Sequence, residues 1–134
     1  MPLKIAFICT GNSARSQMAE GLARHLAKLK GKELEVFSAG SQPAGYVHSL
    51  AIKVMAEKGI DISSQRSKSI DDIPIKEADL VITLCDGAKD YCPAVPGTRK
   101  QHWAIPDPAG RGVDAFRWVR DELTKRIEKL IDEI

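Results

Sequence analysis

The chain is 134 residues long, the length of one domain, 1–134. A domain of this size buries roughly two-thirds of its unfolded surface, so it needs no disulfide or metal staple. With 43% hydrophobic and 28% charged residues the composition excludes collagen, low-complexity disorder and a disulfide scaffold. A net charge of +2 is too small for a general nucleic-acid surface or a polybasic membrane anchor, so any anion site has to be local.

The first element is the apolar run Lys4–Ile8, which reads as a buried strand and ends in the loop Thr10-Gly11-Asn12-Ser13. From Ile5 to Cys9 the run is shorter than the ~7 to 15 residues of a signal peptide or the ~20 of a membrane span, so the expected location is the cytoplasm. Met18, Leu22, Leu26 and Leu29 form the apolar stripe of a first helix that stops near Lys30-Gly31. A second strand, Glu35–Ala39, leads through a loop with Pro43 to a helix marked by Leu50, Val54 and Met55 and stopped at Gly59. Leu80–Leu84 is the clearest strand, and His102–Ile105 is a weaker fourth, stopped by Pro106. Phe116, Val119, Leu123, Ile127, Leu130 and Ile134 share one face of a long C-terminal helix, with its charges on the wet face.

Strands that alternate with helices and read as unbroken apolar runs predict an α/β fold: a four-stranded parallel sheet between two layers of helices. Ligands of such sheets sit beyond the carboxyl ends of the strands. Cys9, Cys85 and Pro106-Asp107-Pro108 occupy those places. Three cysteines cannot all pair within one chain, and cytosolic thiols stay reduced, so reactive or metal-binding roles are expected of them.

Cys9-Thr10-Gly11-Asn12-Ser13-Ala14-Arg15-Ser16 sets a thiol and a guanidinium six positions apart across a strand-to-helix loop. Backbone N–H groups of such a loop converge on one point, the helix N-terminus adds positive potential, and Arg15 binds two oxygens as a fork. A tetrahedral oxyanion fits residues 10 to 16, and the same field favours thiolate over thiol at Cys9. Gly11 is expected to supply the loop's conformational freedom, and Ser16 a hydrogen bond to the sulfur. Asp107, stiffened by the prolines on either side, is the candidate general acid. A second functional segment runs from Cys85 to Cys92. Were it helical, its seven-residue separation would place the two Cα atoms ~10 Å apart, beyond the ~7 Å a disulfide tolerates, so oxidation would require unwinding. Gly87, Asp86, Asp90 and Pro93 weaken such a helix.

Cys-x5-Arg-Ser near the start of a chain this long resembles the low-molecular-weight protein tyrosine phosphatase superfamily. Thr83-Leu84-Cys85-Asp86-Gly87-Ala88-Lys89-Asp90-Tyr91-Cys92-Pro93 resembles the redox segment of its thioredoxin-coupled arsenate reductases. The resemblance implies reduction of arsenate, with phosphate or sulfate as mimics, through Cys9, Cys85 and Cys92 in turn. It further implies Arg15 and Asp107 as catalytic partners, thioredoxin as external reductant, no tightly bound cofactor, and a monomer contacting neither nucleic acid nor membrane. Asp107-Pro108-Ala109-Gly110 has alanine where the superfamily's phosphatases commonly have tyrosine. Two alternatives stand beside it: a phosphatase that needs Cys9, Arg15 and Asp107 alone, and a noncatalytic anion or zinc binder using Cys85, Cys92 and His102. Zinc sites usually space their cysteines more tightly, and His25, His48 and His102 are too scattered for a triad. The reductases can also hold potassium beside the loop. Asn12, Glu20 and Ser38 match that site but Gln65, Arg66 and Lys68 do not, so the Lys68 ammonium is expected in place of the ion.

Overall fold

A computed structural model describes residues 2–85 and 99–134. Strand β1 (Leu3–Cys9) is buried from Ile5 onward because it lies in the middle of the sheet with neighbours on both sides. The other elements are α1 (Arg15–Leu29), β2 (Leu34–Gly40), α2 (Ser49–Ala56), β3 (Leu80–Thr83), β4 (Lys100–His102) and α3 (Val113–Glu133). Two short 3-10 turns, Ile70–Asp72 and Ile75–Glu77, precede β3. The strand order is β2-β1-β3-β4 and every pairing is parallel. The register that pairs Cys9 with Gly40 and Ile8 with Thr83 brings the carboxyl ends of three strands level.

Alternation along β1 sorts its side chains between two cores. Ile5, Phe7 and Cys9 pack with apolar side chains of all three helices. Ala6 and Ile8 face Ile73, Ala78 and Val81, with Ile70 and Ile75 against them. The sheet is thus covered on both faces, as its unbroken apolar strands require, but the described cover of the second face is the pair of 3-10 turns.

Four local expectations need correction. The last strand lies at 100–102, earlier than the apolar run 102–105. That run is apolar because Ile105 is buried, and the chain stays beside β3 through Trp103 N–H to Thr83 O (2.8 Å) and Ile105 N–H to Leu84 O (3.4 Å). Leu29 belongs to the first helix's stripe by spacing, yet it sits in the final turn and is 70% exposed. Ile134 likewise follows the end of α3 and is exposed. Finally, Arg120 on α3 is buried, not wet: its guanidinium donates to Val54 O at 2.9 Å and to Glu57 Oε1 at 2.8 Å, tying α3 to the end of α2.

Candidate active site

The loop between β1 and α1 folds around its own cysteine. Cys9 Sγ lies 2.8 Å from Ser16 Oγ and accepts the Asn12 N–H at 3.3 Å. Asn12 Nδ2 donates to Ser16 Oγ (2.8 Å), so that hydroxyl acts there as acceptor and keeps its proton for the sulfur. The residue that turns the loop is Asn12, with φ of 45°, and not Gly11; it is the one non-glycine residue with positive φ among the described residues. Asparagine tolerates this left-handed region when its side chain is bonded locally. Here Asn12 Nδ2 also donates to Ser38 Oγ (3.0 Å), and Asn12 Oδ1 accepts from Gln17 Nε2 (2.9 Å) and the Lys68 N–H (2.7 Å). Gly40, at the end of β2, lets the sheet approach this loop closely: a Cβ there would collide with Thr10 O and lie 2.9 Å from Asn12 N.

Arg15, the first residue of α1, is buried and reaches across the strand ends. Its Nη1 donates to Leu84 O (3.2 Å) and Ile105 O (3.1 Å), and its Nη2 lies 3.9 Å from Asp107 Oδ2. The first acceptor adjoins Cys85, which is itself buried; the second lies two residues before Asp107. Asp107 is half-exposed, and its Oδ1 accepts the Ala109 N–H at 3.1 Å. Cys9, Ser13, Arg15 and Asp107 open onto one cavity of about 170 Å³. Ser13 Oγ is buried without a hydrogen-bond partner among the described residues, a situation that costs about 1–3 kcal/mol unless a ligand supplies the missing contact. The predicted site residues Thr10, Gly11, Asn12 and Ala14 belong to the same loop, and Ser16 follows Arg15 in the first turn of α1. Cys92 and the expected helix after Cys85 lie outside the described residues.

Sequence reasoning passed over two rim residues, Tyr46 and His48. His48 is the N-cap of α2: its Nδ1 accepts the Leu50 N–H at 3.1 Å, which requires an unprotonated Nδ1, and its ring lies 4.6 Å from that of Phe116. The usual capping residues are serine, threonine, asparagine and aspartate, so His48 gave no signal. Trp118, expected in core or groove, is about half exposed and lines an apolar groove of about 240 Å³ with Pro106, Pro108 and Arg111. That groove holds no nucleophile. His102 Nδ1 is 2.6 Å from Thr83 Oγ1, and no group of three metal-ligating side chains occurs among the described residues.

Behind the loop lies a buried carboxylate. Glu20 on α1 is 3% exposed. Its Oε1 accepts the Ser38 hydroxyl at 2.6 Å and stands 3.7 Å from Lys68 Nζ, while its Oε2 is paired with Arg24. Burial pushes the Lys68 ammonium below the ordinary lysine range, an effect opposed by Glu20.

Comparison with known proteins agrees with this geometry. The arsenate reductase of Halalkalibacterium halodurans is 49% identical, with 92% of this chain and 91% of that protein covered. A solved structure described as an arsenate reductase in the phosphate binding state superposes with a TM-score of 0.85 at 37% identity, covering 98% of both chains. The low-molecular-weight protein tyrosine phosphatase of T. tengcongensis superposes with a TM-score of 0.83 at 28% identity, covering 98% of this chain and 99% of that one. A family model also matches residues 4–134, and the chain belongs to the low molecular weight phosphotyrosine protein phosphatase family.

Proposed function

We propose that this chain reduces arsenate to arsenite through Cys9, Cys85 and Cys92, with thioredoxin as the external reductant. The observation that carries the reading is the reach of Arg15. The Arg15 guanidinium, from the helix that follows the Cys9 loop, binds the carbonyl next to Cys85 and stands beside Asp107. A hydrolase needs Cys9 and Asp107; the relay also needs Cys85, whose neighbouring carbonyl this guanidinium binds.

In the proposed cycle the Cys9 thiolate attacks arsenic while the loop N–H groups and Arg15 hold the developing charge, and Asp107 protonates the departing hydroxyl as water. Cys85 then attacks Cys9 Sγ. The sulfur–arsenic bond breaks with its electron pair going to arsenic, which falls from five-valent to three-valent and leaves as arsenite. Cys92 attacks Cys85 Sγ, Cys9 departs as thiolate, and a Cys85–Cys92 disulfide remains for a dithiol to reduce. The buried Ser13 hydroxyl and the relatives' names support the choice of a tetrahedral oxyanion.

Incubation with arsenate, thioredoxin, thioredoxin reductase and NADPH should consume NADPH and yield arsenite, and Cys9→Ser should do neither. The family membership favours hydrolysis of a phosphate monoester as the second reading. Cys92→Ser separates the two: a reductase loses multiple turnover, whereas a phosphatase keeps its rate.

A further inference from the structure

The segment 65–69 is stitched to the anion loop and to the α1 and β2 residues that flank it. Gln65 Nε2 donates to Gln17 O (3.0 Å), Ser67 Oγ to Gly11 O (3.1 Å), the Lys68 N–H to Asn12 Oδ1 (2.7 Å), and Ser69 bridges to Gly40. This stitching delivers the Lys68 side chain to the back of the loop. There Nζ donates to Arg66 O at 2.6 Å and faces Glu20 Oε1.

A potassium ion would need several free oxygens in this place. The oxygens present are already engaged. Asn12 Oδ1 has two donors, Arg66 O accepts from Lys68 Nζ and Gln17 Nε2 (2.8 Å), and the Ser38 hydroxyl spans Asn12 and Glu20. Glu20 already faces two side-chain cations, Arg24 and Lys68. A third positive charge would meet repulsion, so the residues do not fit a bound cation.

We propose that the Lys68 ammonium is a built-in cation: by neutralising Glu20 it holds the chain Glu20–Ser38–Asn12, and so positions the oxyanion loop without any metal ion. Asn12 is the end of that chain which matters, because it holds the left-handed turn and directs its N–H at Cys9 Sγ. Lys68 touches neither sulfur nor substrate and is a positioning residue. The inference rests on the proposed function only in taking residues 10 to 16 as an oxyanion site; it does not need arsenate to be reduced.

The test therefore reads inorganic phosphate binding by calorimetry, with Cys9 alkylation by iodoacetamide as a second readout. Wild-type affinity should be the same in KCl and NaCl at equal ionic strength. Lys68→Met should weaken phosphate binding about tenfold, the scale on which outer-shell partners act on a ligand, and slow alkylation of Cys9. Lys68→Arg, which keeps the charge, should stay near wild type in both measurements, and it carries the test alone if Lys68→Met does not fold. Tighter wild-type binding in potassium than in sodium would overturn the proposal. So would Lys68→Met binding as wild type does, or Lys68→Arg losing affinity and slowing alkylation. Loss of arsenate reduction with this binding pattern intact would count against the reductase reading alone.

Discussion

Two carboxylates in this protein each stand between two cations, and their surroundings make them different devices. Glu20 is buried, faces Arg24 and Lys68, and passes its position through Ser38 to Asn12. Glu57 lies at the end of α2, one-third exposed, and accepts from Arg117 and Arg120 of α3. Water reaches Glu57 and Arg117, and the cluster's buried member, Arg120, ties it to Val54 O near the end of α2. In the first cluster the carboxylate itself is sealed, and it is wired through Ser38 and Asn12 to the loop that follows the thiol. Charge count alone does not distinguish them; burial and connectivity do.

The largest effect should come from cutting the wire. Asn12→Ala leaves a β-carbon in the left-handed region with none of the four bonds that hold the asparagine side chain. Arsenate turnover should fall about 10²-fold, as expected when a reacting group is misplaced by about 1 Å. Asn12→Gly, which relieves the backbone alone, should recover only part of it in the same steady-state assay. A full recovery by glycine would mean that the side-chain bonds are dispensable.

Next in size is Glu20→Ala, which removes the carboxylate that faces Lys68 and Arg24 and the acceptor of the Ser38 hydroxyl. Urea unfolding should show a loss of about 3 kcal/mol, the lower end for breaking a buried ion pair, together with weaker phosphate binding. Equal losses from Glu20→Ala and Glu57→Ala would erase the contrast between the clusters.

The smallest effect belongs to the exposed cluster. Glu57→Gln should lower the melting temperature less than Glu20→Ala does and leave arsenate kinetics unchanged. Hydrogen bonds from Arg117 and then Arg120 lower the Glu57 carboxyl from its ordinary value to about 2. A depressed folded-state value means that the unfolded chain binds the proton first. The contribution is therefore complete above the unfolded carboxyl range of ~4.3 and disappears as pH falls toward about 2. The stability gap between wild type and Glu57→Gln should be constant from pH 5 to 7 and close during acid titration. A gap that widened on acidification would reverse the sign argued here.

The same two regions show what a linear reading can and cannot reach. Strand β1, the loop and α1 were legible because an apolar run, a thiol and an arginine six positions on are all local signals. Cys9, Arg15 and Asp107 lie at one cavity because parallel strands bring their carboxyl ends together. The loop's conformational freedom is expected of Gly11 because glycine needs no partner for it, yet the left-handed turn falls on Asn12. Asn12 holds it only with partners from residues 16, 17, 38 and 68, which the fold must first assemble. Arg120 was read as wet because helical periodicity treats a cation as solvated, and the buried acceptor that overrides this, Val54 O, comes from another helix. His48 escaped notice for a similar reason, since its cap depends on a ring packed against Phe116.

The reach of Arg15 also bears on biosynthesis. Cys9 and Arg15 are synthesised well before Leu84 and Ile105, whose carbonyls anchor the guanidinium. β1 holds an interior place in the sheet and lacks one neighbour until β3 arrives. During elongation the thiol therefore emerges long before its arginine can lock, and chemical competence waits until Ile105 has been translated and folded against the guanidinium.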